Sequence, residues 1–315
     1  MKLIIQIPCY NEAGTLEIAL NALPKRIKGI DKIEVLIVND GSTDRTVEIA
    51  ENWGVNHIVN FTSNQGLAKG FIAGLDRCIK EGADIIVNTD ADNQYEAKDI
   101  KALVGPILRK KADIVVGTRP INETRHFSTI KKILQKFGSW VVRVASNTSV
   151  QDAPSGFRAM SRDAAMRLNV FNEYTYTLET IIQAGQKNMS IISLPIRTNE
   201  DLRPSRLLSS IPMYVKKSIV TIIRIFITYR PVRFFSSIGI VLFIVGFSLG
   251  VRWIILYLTG ASGAHVPSLV LASILMLSGF MSILSGFMAD LIATNRKLLE
   301  EIQYRVKKIE YRDKK

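Results

Sequence analysis

Cysteine is nearly absent. Cys9 and Cys78 are the two in 315 residues, and they form neither a C-x-x-C pair nor a metal-ligand spacing. That excludes a dithiol redox motif and a cysteine-bound metal, and leaves two thiols packed in a core in a reducing compartment. The three histidines, His57, His126 and His265, also fit no ligand spacing. There is no G-x-G-x-x-G and no G-x-x-x-x-G-K-[ST], so neither a dinucleotide fingerprint nor a Walker loop is present. No internal repeat or low-complexity tract interrupts the chain. The opening "MKLIIQIPCYNE" has too short an apolar run for a signal peptide. It reads as a first strand, at an end expected to stay in the cytoplasm. Acidic residues are the scarcer charge, 28 against 41 Lys and Arg, for a net +13. Such a surplus points to an anionic partner: nucleic acid, anionic lipid or a phosphorylated substrate.

Charge is also missing from two long runs. Phe234–Leu258 carries one charge, Arg252, and Ser268–Ala293 carries one, Asp290. A spanning helix needs about 20 apolar residues for a hydrocarbon core of about 30 Å, so both suffice. The loop between them, "TGASGAHVP", has no Lys or Arg, whereas 201–233 hold seven basic residues and 294–315 hold eight. The positive-inside rule then predicts a two-span hairpin over 234–293 with both flanks cytoplasmic. A buried hairpin of a soluble protein is the alternative. Arg252 and Asp290 lie near the interfaces, where long side chains snorkel. Because the basic residues crowd around the spans, anionic lipid explains them and no nucleic-acid partner is expected. The stretch 128–144 sorts apolar residues to one helical face and Lys131, Lys132, Lys136 and Arg143 to the other. That suits a helix in the headgroup layer or one packed on the domain surface. Residues 201–233 form a juxtamembrane amphipathic segment, and 294–315 a basic cytoplasmic tail.

Residues 1–200 alternate short apolar runs with helical patterns: "LIIQIP", "IEVLIVND", "NHIVNF", "DIIVNTD" and "DIVVGTR". "GFRAMSR" and "SIISLPIRT" are candidate added strands, with a helix around 177–187. This rhythm predicts an α/β domain built on a mixed, mostly parallel sheet. Ligands of such sheets bind outside the carboxyl ends of the strands. Pro8, Tyr10, Asn11 and Glu12 follow the first run, Asp40, Gly41 and Ser42 the second, Asp90, Asp92 and Gln94 the fourth, and Arg119 the fifth.

Asp90 and Asp92 stand at alternating positions after an apolar strand, so their carboxylates are expected on one side. Two held together repel unless a cation sits between them. Mg2+ or Mn2+, bound by one or two carboxylates plus substrate phosphates, is the natural cation. A solvated turn is the plainer reading of Asp-x-Asp alone.

"IPCYNE", "VNDGSTDRT", "NQGLAKG", "TDADNQ", "VGTR" and "DAPSGFRAMSR" occur in that order over residues 3–200. Together they resemble the family 2 glycosyltransferases of the Rossmann-like GT-A fold. More narrowly they resemble polyprenyl-phosphate glycosyltransferases of the dolichyl-phosphate mannose synthase and bacterial undecaprenyl-phosphate types. The resemblance implies a membrane-bound inverting enzyme that moves a hexose from a UDP-sugar or GDP-mannose to a polyprenyl phosphate. By the same resemblance Pro8, Tyr10, Glu12, Asp40 and Asp90 hold the donor, and Asp90, Asp92 and Gln94 hold the metal and diphosphate. Arg119, Arg143, Arg203, Ser205 and Arg206 meet the acceptor phosphate, and Asp90, Asp92 and Arg119 carry the chemistry. A homo-oligomer is compatible with this pattern. Asn39 departs from the pattern, which often has an acid there, and so does "NQYEA", where "xQHPP" is more usual. Plainer roles exist: Pro8 and Tyr10 end a strand, Arg119 pairs with a helix C-terminus, and Arg203 and Arg206 anchor to headgroups. Two other functions compete, a non-catalytic nucleotide-binding membrane protein and a transferase with another lipid or glycan acceptor. Q-x-x-R-W, carried by processive synthases, is absent.

Overall fold

The computed structural model describes residues 1–120, 140, 142–143, 146–170, 176–200, 220, 223–224, 226–260 and 266–311. Two compact units make up the chain: Met1–Ser218 together with Glu300–Lys315, and Ile219–Leu299.

The first unit is built on seven strands: β1 (Lys2–Cys9), β2 (Lys32–Asn39), β3 (His57–Asn60), β4 (Ile85–Asn88), β5 (Ile114–Thr118), β6 (Arg158–Ser161) and β7 (Ile191–Pro195). They lie in the order β3-β2-β1-β4-β6-β5-β7. All neighbours are parallel except β6, which runs antiparallel to both β4 and β5. The added strands expected after residue 156 are both present, and β6 is the one that reverses direction. Central strands covered on both faces read as continuous apolar runs. Leu3, Ile4, Ile5, Ile7, Ile85, Ile86 and Val87 are accordingly buried.

Helices α1 (Leu16–Ala22), α2 (Thr46–Trp53), α3 (Leu67–Lys80), α4 (Ile100–Leu108), α5 (Arg162–Arg167) and α6 (Thr177–Gln186) connect the strands. Helix α3 shows how one is seated. Its buried face carries Ala68, Phe71, Leu75, Cys78 and Ile79, spaced three and four apart. A Cβ on Gly74 would lie 2.6 Å from Oε1 of the buried Gln6, so glycine lets the helix approach the sheet there. Burying a side chain such as Phe71 contributes about 1.5–3 kcal/mol. Cys9 and Cys78 are free and buried, and burial pushes both thiols up, as expected of core residues.

The second unit holds α7 (Pro231–Leu258) and most of α8 (Val266–Glu310), both long and apolar enough to cross a membrane. Their apolar side chains point mostly outward, including Val241, Ile244, Phe247, Leu277 and Phe287, which does not suit a soluble core hairpin. The two helices meet through small residues. A Cβ on Gly239 would fall 2.6 Å from the Gly279 carbonyl oxygen, and one on Gly246 would fall 2.8 Å from that of Ala272. Ser282 Oγ donates to the Phe235 carbonyl. Close backbone approach is the usual way helices pack in lipid.

The stretch after residue 293, the expected basic tail, is helical to Glu310. No glycine or proline follows Gly286, so neither breaker interrupts the helix between the apolar run and Glu310. The expected interfacial helix over 128–144 and the juxtamembrane segment 201–233 fall largely outside the described residues.

Candidate functional site: the carboxyl rim of the sheet

Strands β1, β2, β4 and β5 end at one edge of the sheet, and the reversed β6 begins there. The loops at this rim are laced together by the motif residues. Asn11 adopts a left-handed conformation (φ 54°), which its short polar side chain tolerates. Its N–H donates to Ser42 Oγ, and its Oδ1 accepts from the Thr43 N–H. The Glu12 N–H donates to Thr46 Oγ1, and the Ala13 N–H donates to Asp44 Oδ2. Burial pushes the Asp44 carboxyl up, but hydrogen bonds from Thr46 and Ala13 outweigh it and hold the group below its ordinary value. Ser42, Asp44 and Thr46 thus act as scaffold that joins the first two loops.

Asp40 is buried, and its two carboxylate oxygens accept from the N–H groups of Gln65 (2.6 Å) and Gly66 (3.0 Å). Gly41, at φ 71°, sits so close to Ser63 and Asn64 that no side chain fits. Asn39 is also committed internally: Oδ1 accepts from the Ser42 N–H and Nδ2 donates to Asn60 Oδ1. Glu12 is buried and its Oε2 accepts from Thr15 Oγ1. Tyr10 is exposed and Pro8 half-buried at the end of β1.

The acid pair follows β4. Asp92 is presented by a turn rather than by extended chain: its Oδ1 accepts the Gln94 N–H at 3.0 Å, and Asn93 is left-handed (φ 56°). The Asp90 carboxyl is pushed up, first by burial and then by the nearby Asp92 charge, while Arg119 and Arg158 pull it down. A cation would relieve that repulsion. Among the described residues no group of three His, Cys, Asp or Glu side chains stands close enough to hold a metal alone. Carboxylates such as Asp90 and Asp92 are hard donors of the type that suits Mg2+ or Mn2+ when a diphosphate and water complete the shell.

Beneath Asp90 lies a buried polar layer. Asn88 donates to the Gly156 carbonyl and to Tyr176 Oη, both at 2.9 Å, and accepts from Gln6. A Cβ on Gly156 would come within 3.1 Å of Asp90 Oδ1 and of Tyr176 Oη. Arg158 is fully buried and donates to the carbonyls of Ala153, Ser155 and Thr177, which pins the loop that leads to Gly156. Arg119 pairs with the buried Asp152 and not with a helix end. Its Nε and Nη2 reach the two carboxylate oxygens at 2.8 and 3.0 Å, and its N–H joins them. Burial lowers the guanidinium's hold on its proton, but neighbouring Tyr95, Asp152 and Asp90 outweigh it and the net direction is up.

Residues after β7 return along the acid loop. The Asn199 N–H donates to the Gln94 carbonyl at 2.8 Å, which fixes this returning segment against the acid pair's turn. Asn199 Nδ2 donates to the Asn93 carbonyl at 2.9 Å, and Arg197 pairs with Asp99. Arg143 is half-buried and reaches the Val150 carbonyl at 3.5 Å. Arg203, Ser205 and Arg206 lie outside the described residues. The rim thus brings together Pro8, Tyr10, Glu12, Asp40, Asp90, Asp92, Gln94 and Arg119. Sequence reasoning gave no role to Asp152 or Gly156, although both stand in "DAPSGFR". Asn199 carries no motif signal at all.

A mixed sheet with an acid pair at its carboxyl rim defines a GT-A type of α/β protein, and comparison with known proteins agrees. The model of the family described as glycosyl transferase family 2 matches residues 4–168. An undecaprenyl-phosphate mannosyltransferase of Micrococcus luteus is 26% identical over 62% of this chain and 83% of its own length. A UDP-N-acetylglucosamine–dolichyl-phosphate N-acetylglucosaminyltransferase of Methanococcus voltae is 29% identical over 61% and 83%. Among solved structures, glucosyl-3-phosphoglycerate synthase of Mycobacterium tuberculosis, in complex with Mn2+, UDP and glucosyl-3-phosphoglycerate, shares the fold. The TM-score is 0.54 at 19% identity, covering 70% of this chain and 79% of that one. The chain belongs to glycosyl transferase family 2, and it is a glycosyltransferase.

Proposed function

We propose that this enzyme moves a hexose from a nucleoside diphosphate sugar onto the phosphate of a polyprenyl lipid at the cytoplasmic face of a membrane. The observation that carries the reading is the half-buried Asp90 carboxyl, pressed by Asp92 at the rim of a chain that also holds two long apolar helices. The names of the relatives, which transfer different sugars to polyprenyl phosphates, support the lipid acceptor.

In this reading Pro8, Tyr10, Glu12 and Asp40 receive the nucleoside. Asp40 meets it from a carboxylate already fixed by two backbone N–H groups. Asp90, Asp92 and Gln94 face the diphosphate and would hold a divalent cation. Such a cation, when bound, supplies Lewis-acid neutralisation of charge on the departing diphosphate. Arg119, Arg143, Arg203, Ser205 and Arg206 steer the acceptor phosphate by charge-assisted hydrogen bonds. Asp152 keeps the Arg119 guanidinium in one orientation. An acceptor phosphate oxygen attacks the anomeric carbon as the bond to the diphosphate breaks, with inversion. A phosphate monoester with a second pKa of about 6 is already largely ionised at pH 7, so no strong general base is required. The basic flanks of the apolar helices support a cytoplasmic catalytic unit.

The test is a screen of UDP-glucose, UDP-N-acetylglucosamine and GDP-mannose with purified enzyme and Mg2+ or Mn2+, offered undecaprenyl phosphate, diacylglycerol or an oligosaccharide as acceptor and read by mass spectrometry. Lipid-linked hexose from one donor is expected. Sugar found only on a glycan or diacylglycerol acceptor would replace the reading.

A further inference from the structure

The last turns of α8, from Glu300 on, belong to the same compact unit as the sheet. Tyr304 is 7% exposed, and its hydroxyl donates to Asp163 Oδ1 at 2.6 Å and accepts from Arg167 Nη2 at 3.3 Å. The Arg167 guanidinium lies 4.4 Å from the centroid of the same ring. The same stretch of helix adds two ion pairs: Glu300 with Lys187 at 2.9 Å, and Lys307 with Asp76 at 2.7 Å. The partners come from three separate places: Asp76 on α3, Asp163 and Arg167 on α5, and Lys187 just past α6. Exposed ion pairs contribute little singly. A nearly buried tyrosine held by a carboxylate, a guanidinium and ring stacking is a different case.

The place of this clasp in the fold matters. Helix α5 starts where β6 ends, and Ser161 of β6 pairs with Ile85 at the start of β4. The clasp therefore grips the edge of the sheet opposite the rim that carries Asp90 and Asp92. None of its residues is among the rim residues that surround Asp90 and Asp92. Yet α8 is one unbroken helix from Val266 to Glu310, so the apolar span and the clasped segment are a single element.

We infer that Tyr304 is a positioning residue: it fastens the catalytic unit to the helix that enters the membrane, and transfer to a bilayer-embedded acceptor depends on that fastening while transfer to a soluble acceptor does not. This rests on the polyprenyl-phosphate reading above. The experiment uses full-length enzyme in phosphatidylglycerol-containing vesicles with the same three donors. Initial rates are compared for undecaprenyl phosphate in the bilayer and for a short, water-soluble isoprenyl phosphate. Tyr304→Ala is expected to raise KM for the bilayer acceptor about tenfold. Its kcat/KM for the soluble acceptor, and its thermal midpoint with UDP and Mn2+, should stay within about twofold and a few degrees of wild type. Tyr304→Phe, which keeps the ring over Arg167, is expected to recover most of the loss, and Lys307→Ala to show a smaller one. Equal losses on both acceptors, or no loss on either, would overturn the inference. Wild-type enzyme silent with every donor and both acceptors would overturn the functional reading, and the inference with it.

Discussion

At the residue scale the raised Asp90 carboxyl is expected to cost stability. A carboxyl pushed up in the folded state disfavours that state as pH rises above its ordinary value, so ionised Asp90 strains the cation-free fold. Asp90→Asn should remove the repulsion and raise the thermal midpoint in EDTA, by about 2–4 °C per kcal/mol recovered. Transfer by the same variant, and by Asp92→Asn, should fall by at least about a hundredfold. A lower midpoint for Asp90→Asn in EDTA would contradict the electrostatic account. Glu34 gives the opposite sign. Burial pushes its carboxyl up, but Lys2, Lys32 and His57, each 2.7 Å away, outweigh that and hold it at about 2. Its contribution, about 3 kcal/mol at most, is present above its unfolded value of 4.5 and lost as pH falls toward 2. Glu34→Gln should therefore be less stable at pH 7 and show a flatter stability profile between pH 4.5 and 2, measured by urea unfolding. An unchanged profile would sink that assignment. His57, which fits no ligand spacing in sequence, has its place in this cluster.

At the scale of elements, the strands were readable because buried parallel strands are uniform apolar runs, as in "LIIQI" and "DIIVN". The reversal of β6 was not, since "RAMS" has no pattern that encodes direction; pairing with β4 and β5 decides it. The positions of Asp40, Asp90 and Asp92 followed from strand ends. The partner of Arg119 did not, because Asp152 lies 33 residues away and meets it only through the tertiary fold. The helical hairpin was legible from hydropathy, but its seam was not. Gly239, Gly246 and Gly250 look alike in sequence, yet a Cβ on Gly239 or Gly246 would strike the facing backbone and one on Gly250 would meet nothing within 4 Å. Gly239→Ala should lower the thermal midpoint in detergent by several degrees, whereas Gly250→Ala should leave it within about a degree or raise it. Equal behaviour of the two would contradict the seam.

At the scale of the whole molecule, α8 of 45 residues extends about 67 Å at about 1.5 Å per residue, about twice the hydrocarbon core of a bilayer. Such a core holds only about half of that length, which agrees with the basic residues Arg296, Lys297, Arg305, Lys307 and Lys308 that follow the apolar run. The net charge of +13, which first pointed to an anionic partner, is thus placed largely beside the apolar helices. One chain carries a glycosyltransferase fold and two helices fit for lipid, and the proposed role of the acid pair joins the two. The most direct measurement is electron paramagnetic resonance of Mn2+ added to purified enzyme with UDP or GDP, in wild type and in Asp92→Asn. The account predicts one immobilised Mn2+ per chain that requires the nucleotide and is lost in the variant. Immobilised Mn2+ in equal amount in Asp92→Asn would contradict it.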